Sequence, residues 1–454
     1  AGATQIVDSN FTTAINTNAG QGATRKRILF RSGQTFTSSS SANLTASGPG
    51  HLGTFGGAAR AVIAGSTSKI NFGSFASPSI VEDWRIVNLD FDGINTLGNT
   101  RGVQPTSAAN RITVLNNVFR NLHVAMEFEV LFLDFVNTSS QLVPIWNQWA
   151  IIDNQFTNNA TYAFLGALNS SAAMGNRVTG QSGQHAWRLG HGSRNVISNN
   201  ELTGTPTGTA LTIRGFAWEL ANRASGNQFT LPANSFSEFS IASDNRIISG
   251  VGALPYTYAA SNGTELPRFR NHISERNIIV TSTPGLALTS VAGLSTIRNN
   301  LVLNTSTTDL RSIEIQPPVD PVINNFFVYN NSVFSGATTS SVGLCIVNTN
   351  FGPVPNLVAR NNLGVAPGNT NGGTAPVCDF AGGGFTGSNN STRAQIQGPS
   401  PLTTTPPTQP SHWQPQAATY PINGGFPPPS GPVPVFSDFF VAPRTGNHIG
   451  AVNP

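Results

Sequence analysis

Ile112-Thr113-Val114-Leu115-Asn116-Asn117-Val118-Phe119 decides the fold, because the same phrase keeps returning. It comes back as Ile151-Ile152-Asp153-Asn154-Gln155-Phe156 and as Val196-Ile197-Ser198-Asn199-Asn200-Glu201-Leu202. Later copies are Thr296-Ile297-Arg298-Asn299-Asn300-Leu301, Val328-Tyr329-Asn330-Asn331-Ser332-Val333 and Val358-Ala359-Arg360-Asn361-Asn362-Leu363. Weaker ones carry Gly175-Asn176, Asp244-Asn245 and Arg276-Asn277. The second residue of each pair stands at 117, 154, 176, 200, 245, 277, 300, 331 and 362, so the step runs from 22 (154 to 176) to 45 (200 to 245). A repeat of roughly 20–50 residues is the mark of a solenoid or a related array. Asn tolerates left-handed backbone at a bend, and stacked amides can bond from coil to coil.

Between the Asn pairs lie short runs in which apolar and polar residues alternate, such as Ala186-Trp187-Arg188-Leu189, Leu211-Thr212-Ile213-Arg214 and Ser312-Ile313-Glu314-Ile315. Alternation predicts strands with one face inward and one outward. From about 103 to 367 each unit reads as one strand, a turn, and a second strand ending in the Asn pair. Residues 1–102 read as strands without the clean repeat, the cap and first coils of a solenoid whose open end needs cover. Residues 103–396 form the main solenoid. Residues 397–454 begin with a Pro-rich stretch to about 435, extended chain that must be held by something else, and end in a short strand pair.

Composition narrows the function classes. Only 10% of the 454 residues are charged, well under the usual quarter. The net charge is +4, Lys26 and Lys69 are the only lysines, and the arginines are scattered, which argues against nucleic acid as a partner. The most apolar run, Val124 to Val136, is short and carries Glu127, Glu129 and Asp134, so no membrane span is expected. The start at Ala1-Gly2-Ala3 fits a mature exported protein after signal-peptide removal, with an extracellular or cell-surface location expected, and fits a cytosolic protein as the alternative. In an oxidising compartment Cys345 and Cys378 would form a disulfide, worth roughly 3–4 kcal/mol; two buried thiols are the alternative. No Cys/His cluster marks a zinc site, and neither a metal nor a cofactor is expected.

These units resemble the right-handed parallel β-helix proteins of the pectin-lyase-like superfamily. The resemblance covers about 60 to 367, and the closing phrase from Phe439-Phe440 through Arg444 to Ile449-Gly450-Ala451 recurs in bacterial secreted members. It implies an all-β, right-handed parallel β-helix with an extended Pro-rich C-terminal segment. It also implies a polysaccharide partner, since the superfamily holds lyases, hydrolases, epimerases, esterases, tailspikes and adhesins. No Asp cluster like the calcium site of pectate lyases is present.

With the strands in register, one outward column is expected to read Glu127, Arg188, Thr212, Ala287 and Glu314, and its neighbour Glu129, Gly190, Arg214, Thr289 and Gln316. Glu127 and Glu129, two apart on a strand, would hold carboxyls about 6–7 Å apart, inside the roughly 5–9.5 Å used in glycoside hydrolysis. In a lyase, Arg188 or Arg214 would neutralise a uronate carboxylate and His185 or His191 would take the proton. Glu314 would add a polar contact and Trp218 a sugar platform. The bland alternative is a solvated face whose charges pair among themselves. His272 and Glu275 are expected in a solvated loop. A second function class is a structural subunit of a fibre, sheath or surface layer, a homo-oligomer or filament joined through solenoid ends and the Pro-rich tail.

Overall fold

The computed structural model describes residues 8–394 except for the connections 20–25, 74–79, 95–97, 106–107, 129–145, 181–182, 190–191, 204–207, 215–236, 250–255, 260–268, 283–287, 291–293, 308–310, 316–324, 337–343, 349–353, 355, 367–373, 379–385 and 389–390. The Pro-rich stretch and the closing strand pair therefore lie outside the described residues. The chain forms two compact units, the first made mainly of residues 1–196 and the second mainly of 236–454.

Each coil of the first unit supplies one strand to each of three parallel sheets. In the best-defined coils these strands are Ala109–Leu115, Val118–Arg120 and Val124–Phe128, then Ala150–Ile152, Gln155–Thr157 and Tyr162–Gly166. The second unit repeats the scheme, for instance with Ser295–Arg298, Leu301–Asn304 and Arg311–Ile315. Three strands per coil correct the expected two. The piece after the Asn pair is often only three residues long, too short to show a period of its own.

The repeated Asn pair divides its work. The first residue takes the left-handed backbone of the bend, with φ between 51° and 58° at Asn116, Asp153, Asn199, Asp244, Arg276, Asn299, Asn330 and Asn361. The second is buried in a ladder. Asn154 Nδ2 donates to the Val114 carbonyl (2.9 Å) and to Asn176 Oδ1 (3.1 Å), while its own Oδ1 accepts from the backbone N and Nδ2 of Asn117 (2.9 and 3.1 Å). The second unit repeats this from Asn245 through Asn277, Asn300 and Asn331 to Asn362. Every donor and acceptor of a middle rung is used, so burying these amides leaves no hydrogen bond unmade.

The core is built by like-on-like stacking. Register aligns Phe91, Phe119 and Phe156 in successive coils, with ring centroids 5.0 and 5.2 Å apart. At the start of the chain the helix Phe11–Asn18, capped by the Asn10 side chain, buries Phe11 against Phe30 and Phe91. This helix covers the first coil, where the sequence reading held strands only.

The third sheet of the first unit departs from strict alternation. Ala125 and Met126 are both fully buried, as are Ala163 with Phe164 and Ala186 with Trp187. Two consecutive positions face the core, and the first is always small. In the preceding strand it is Gly102, whose added Cβ would lie 2.6 Å from the Phe119 ring. The outward columns become Arg101, Val124, Tyr162, His185 and Gln104, Glu127, Leu165, Arg188.

Candidate functional site

Of the sequence-predicted site residues, the structure brings Glu127, Arg188 and His185 onto one face of the first unit. Glu127 and Arg188 share a column, with Leu165 between them. Two strand spacings of about 4.8 Å keep them from pairing directly. Each finds another partner. Glu127 forms an ion pair with Arg101 of the preceding coil, whose Nη1 also donates to the Asn99 carbonyl (2.7 Å). Arg188 Nη1 donates to the Tyr162 hydroxyl (3.3 Å), and its Cζ sits 6.0 Å from the Tyr162 ring centroid.

Tyr162 is the hub that the sequence reading missed. Its hydroxyl donates to Gln184 Oε1 while accepting from Arg188. Its ring stacks on His185 at 5.8 Å with planes 26° apart, and its apolar edge packs with Val124 and Leu165. Beside Glu127 stands His123, whose ring lies 3.3 Å from the Thr161 hydroxyl. Burial and then Arg101 push its pKa down, against the pull of Glu127. A signal for Tyr162 did exist: Ala163 continues the small-residue column of Gly102, Ala125 and Ala186.

The solvated face of the alternative reading is not what the described residues form. Glu127 is 6% exposed, Arg188 4% and, in the second unit, Glu314 1%. Charges buried to that degree need partners, which makes their surroundings specific.

In the second unit the corresponding column reads Thr212, Thr257, Thr289, Glu314, Asn348 and Cys378. Thr289, and not Ala287, opposes Glu314. Leu286 and Leu288 offer the same inward pattern in two registers two residues apart, and the chain takes the later one. Arg214 pairs with Ala259, and its side chain lies outside the described residues. Glu129, His191 and Trp218 also lie outside them. Cys345 opposes Ala375 and Cys378 opposes Asn348, which sets the two cysteines three steps apart on neighbouring strands. Their side chains are not among those described. His272 and Glu275, expected in a solvated loop, are 1% and 5% exposed. The repeat carries Glu275 into the first sheet, in the strand Ile273–Glu275 that His272 immediately precedes, and Glu275 pairs there with Arg276 and Arg298.

Among the described residues no three His, Cys, Asp or Glu side chains converge as metal ligands, and no helix is long and apolar enough to cross a membrane. No family model and no curated protein matches the chain. Solved structures do. The A-module of mannuronan C-5 epimerase AlgE6 from Azotobacter vinelandii aligns with 85% of this chain and 96% of its own, at 13% identity and a TM-score of 0.52. A mutant tailspike protein of E. coli bacteriophage HK620, solved with a pentasaccharide, aligns with 85% of this chain and 77% of its own, at 12% identity and a TM-score of 0.53. At such identities the likeness speaks for architecture alone, and the architecture is the right-handed parallel β-helix.

Proposed function

We propose that the covered face around Tyr162 is a polysaccharide site that cleaves an acidic glycan by β-elimination. The observation that carries this reading is the Tyr162–Arg188 contact, a phenol that donates to Gln184 while a guanidinium donates to its oxygen. His185 removes the proton from the carbon bearing the substrate carboxylate. The released electron pair becomes a double bond to the next ring carbon, and the bond from that carbon to the glycosidic oxygen breaks. Tyr162 gives its proton to the departing oxygen, and Arg188 stabilises the phenolate that remains. Return of the proton from His185 to Tyr162 resets the site. The architecture shared with polysaccharide-related proteins supports the substrate class by analogy. Such a substrate implies work outside the cell.

Hydrolysis needs two carboxyl groups across the bond. The described face offers Glu127, whose charge Arg101 already holds, and Glu129 lies outside the described residues. Because the side chains are almost wholly covered, a glycan reaches them only when that cover is displaced.

The test is a panel of uronate-containing glycans incubated with the full chain, followed by ultraviolet absorbance and by reducing ends. Elimination raises both, and hydrolysis raises reducing ends alone. Tyr162→Phe is expected to lower turnover by about 10²–10⁴-fold, the usual worth of a positioned proton donor. Turnover unchanged in both Tyr162→Phe and Arg188→Gln would sink the reading.

A further inference from the structure

The first sheet of the second unit carries an outward column that changes character partway along. Register sets Glu275 opposite Arg298, Arg298 opposite Tyr329, and Tyr329 opposite Arg360. The early part is a closed ladder of opposite charges. Arg276 donates to both carboxylate oxygens of Asp244 (2.7 and 2.8 Å) and to one of Glu275 (2.8 Å). Arg298 donates to the other Glu275 oxygen (2.6 Å). Asp244, Arg276, Glu275 and Arg298 thus sum to zero charge. In the next coil the alternation calls for an acid, and the chain supplies Tyr329. The coil after that carries Arg360, a cation with no acid set against it in the column.

Tyr329 is 1% exposed. Its hydroxyl is buried and finds no hydrogen-bond partner among the described residues, and neither does the buried Nε of Arg360. The ring is held on the outward face by Phe327, with centroids 5.9 Å apart, while Phe326 and Val328 fill the core side. Burial pushes the Tyr329 pKa up, opposed by Arg360, so the hydroxyl keeps its proton and stands as a donor. Buried donors in folded proteins almost always have acceptors. Two neighbouring ones left open, one of them on a cation that no acid among the described residues pairs, describe the complement of a monovalent oxyanion with two accepting atoms.

We propose that Tyr329 and Arg360 form a carboxylate-binding site, with one ligand oxygen accepting from the Tyr329 hydroxyl and the other from Arg360 Nε. The ligand takes the place of the acid that the ladder lacks. A uronate residue of a glycan and a free small carboxylate share this chemistry. The site is independent of the Tyr162 reading, since it uses another sheet of the other unit and no residue of that mechanism.

Calorimetric titration of the full chain with sodium glucuronate, sodium acetate and sodium sulfate, at ionic strength matched with sodium chloride, tests the site. Saturable binding of glucuronate is expected. Acetate binding equally well identifies a general carboxylate site, and glucuronate alone identifies a sugar-acid site. Tyr329→Phe keeps the ring and removes the donor, and should weaken binding about tenfold to a hundredfold, as for a hydrogen bond to a charged group. Arg360→Gln should abolish binding, while Arg27→Gln, an exposed arginine in the first unit, should leave it unchanged. Should Arg360→Gln fail to fold, Tyr329→Phe decides alone. Absence of saturable carboxylate binding overturns the proposal, as does binding unaltered in the variants or sulfate binding as tightly as the carboxylates.

Discussion

The asparagine ladder and the Tyr162 face are both polar and both buried, yet they meet the cost of burial in different ways. In the ladder each amide meets a copy of itself one coil away. The inventory closes, with two donors given and two acceptors filled at Asn154. On the Tyr162 face each group meets an unlike neighbour, Glu127 with Arg101 and Tyr162 with Gln184, Arg188 and His185. A closed set of identical groups leaves nothing for a ligand to bind. A set of unlike, ionisable groups holds charge and protons that chemistry can use, and its burial is stable only under conditions that preserve those protonation states.

Acid tests the ionisable side of that contrast, and its largest effect falls on a buried group outside the Tyr162 face. His272 is fully enclosed in the second unit, with Nε2 3.1 Å from the Ser237 carbonyl, and burial lowers its pKa to about 3. The folded state therefore binds fewer protons than the unfolded chain between that value and the ordinary 6.5. Stability is full above the upper value and falls as pH drops through the window, by about 5 kcal/mol at its lower end. Urea unfolding across a pH series should show this slope and lose it in His272→Gln. A slope that persists in the variant places the titration elsewhere.

Next in size is a rung of the ladder. Asn154→Ala strips partners from the Val114 carbonyl, from Asn117 and from Asn176, and should cost about 4 kcal/mol by chemical denaturation. The amide does not titrate, so that loss should be flat with pH. A loss under about 1 kcal/mol would mean that the ladder is decoration and would break the contrast. The smallest effect belongs to the first residue of a pair. Asp153→Gly keeps the left-handed bend, where φ is 54° and the side chain is exposed, and should move stability by only about a few tenths of a kcal/mol.

The legibility of these regions in the sequence follows the same division. The ladder announces itself because one residue type must recur wherever one coil bonds to the next. Even so, Asn389-Asn390, which stands in sequence between the strands Thr386–Ser388 and Ser391–Ala394, escapes the pattern because Gly387-Ser388 replaces the usual apolar lead-in. The column that joins Glu127 to Arg188 was readable from alternation. Its neighbour was not, because the doubled inward positions Ala125-Met126, Ala163-Phe164 and Ala186-Trp187 swing Val124, Tyr162 and His185 outward. Arg101 meets Glu127 only through register between coils 26 residues apart, and no local spacing encodes that.

The ladder also governs where this chain tolerates insertion. Successive rungs in the first unit are separated by 37, 22 and 24 residues, yet their amide contacts stay between 2.9 and 3.1 Å. In sequence, the surplus of the 37-residue step lies between the strands Val124–Phe128 and Ala150–Ile152. Residues 129–149 join Phe128 to Ala150, whereas 167–171 and 190–195 suffice at the same corner of the next two coils. Chain lengths from 5 residues (167–171) to 21 residues (129–149) therefore follow strands of this sheet while the rungs beside them keep their bonds. Diversity in recognition can accumulate at that corner while the frame that positions it stays constant.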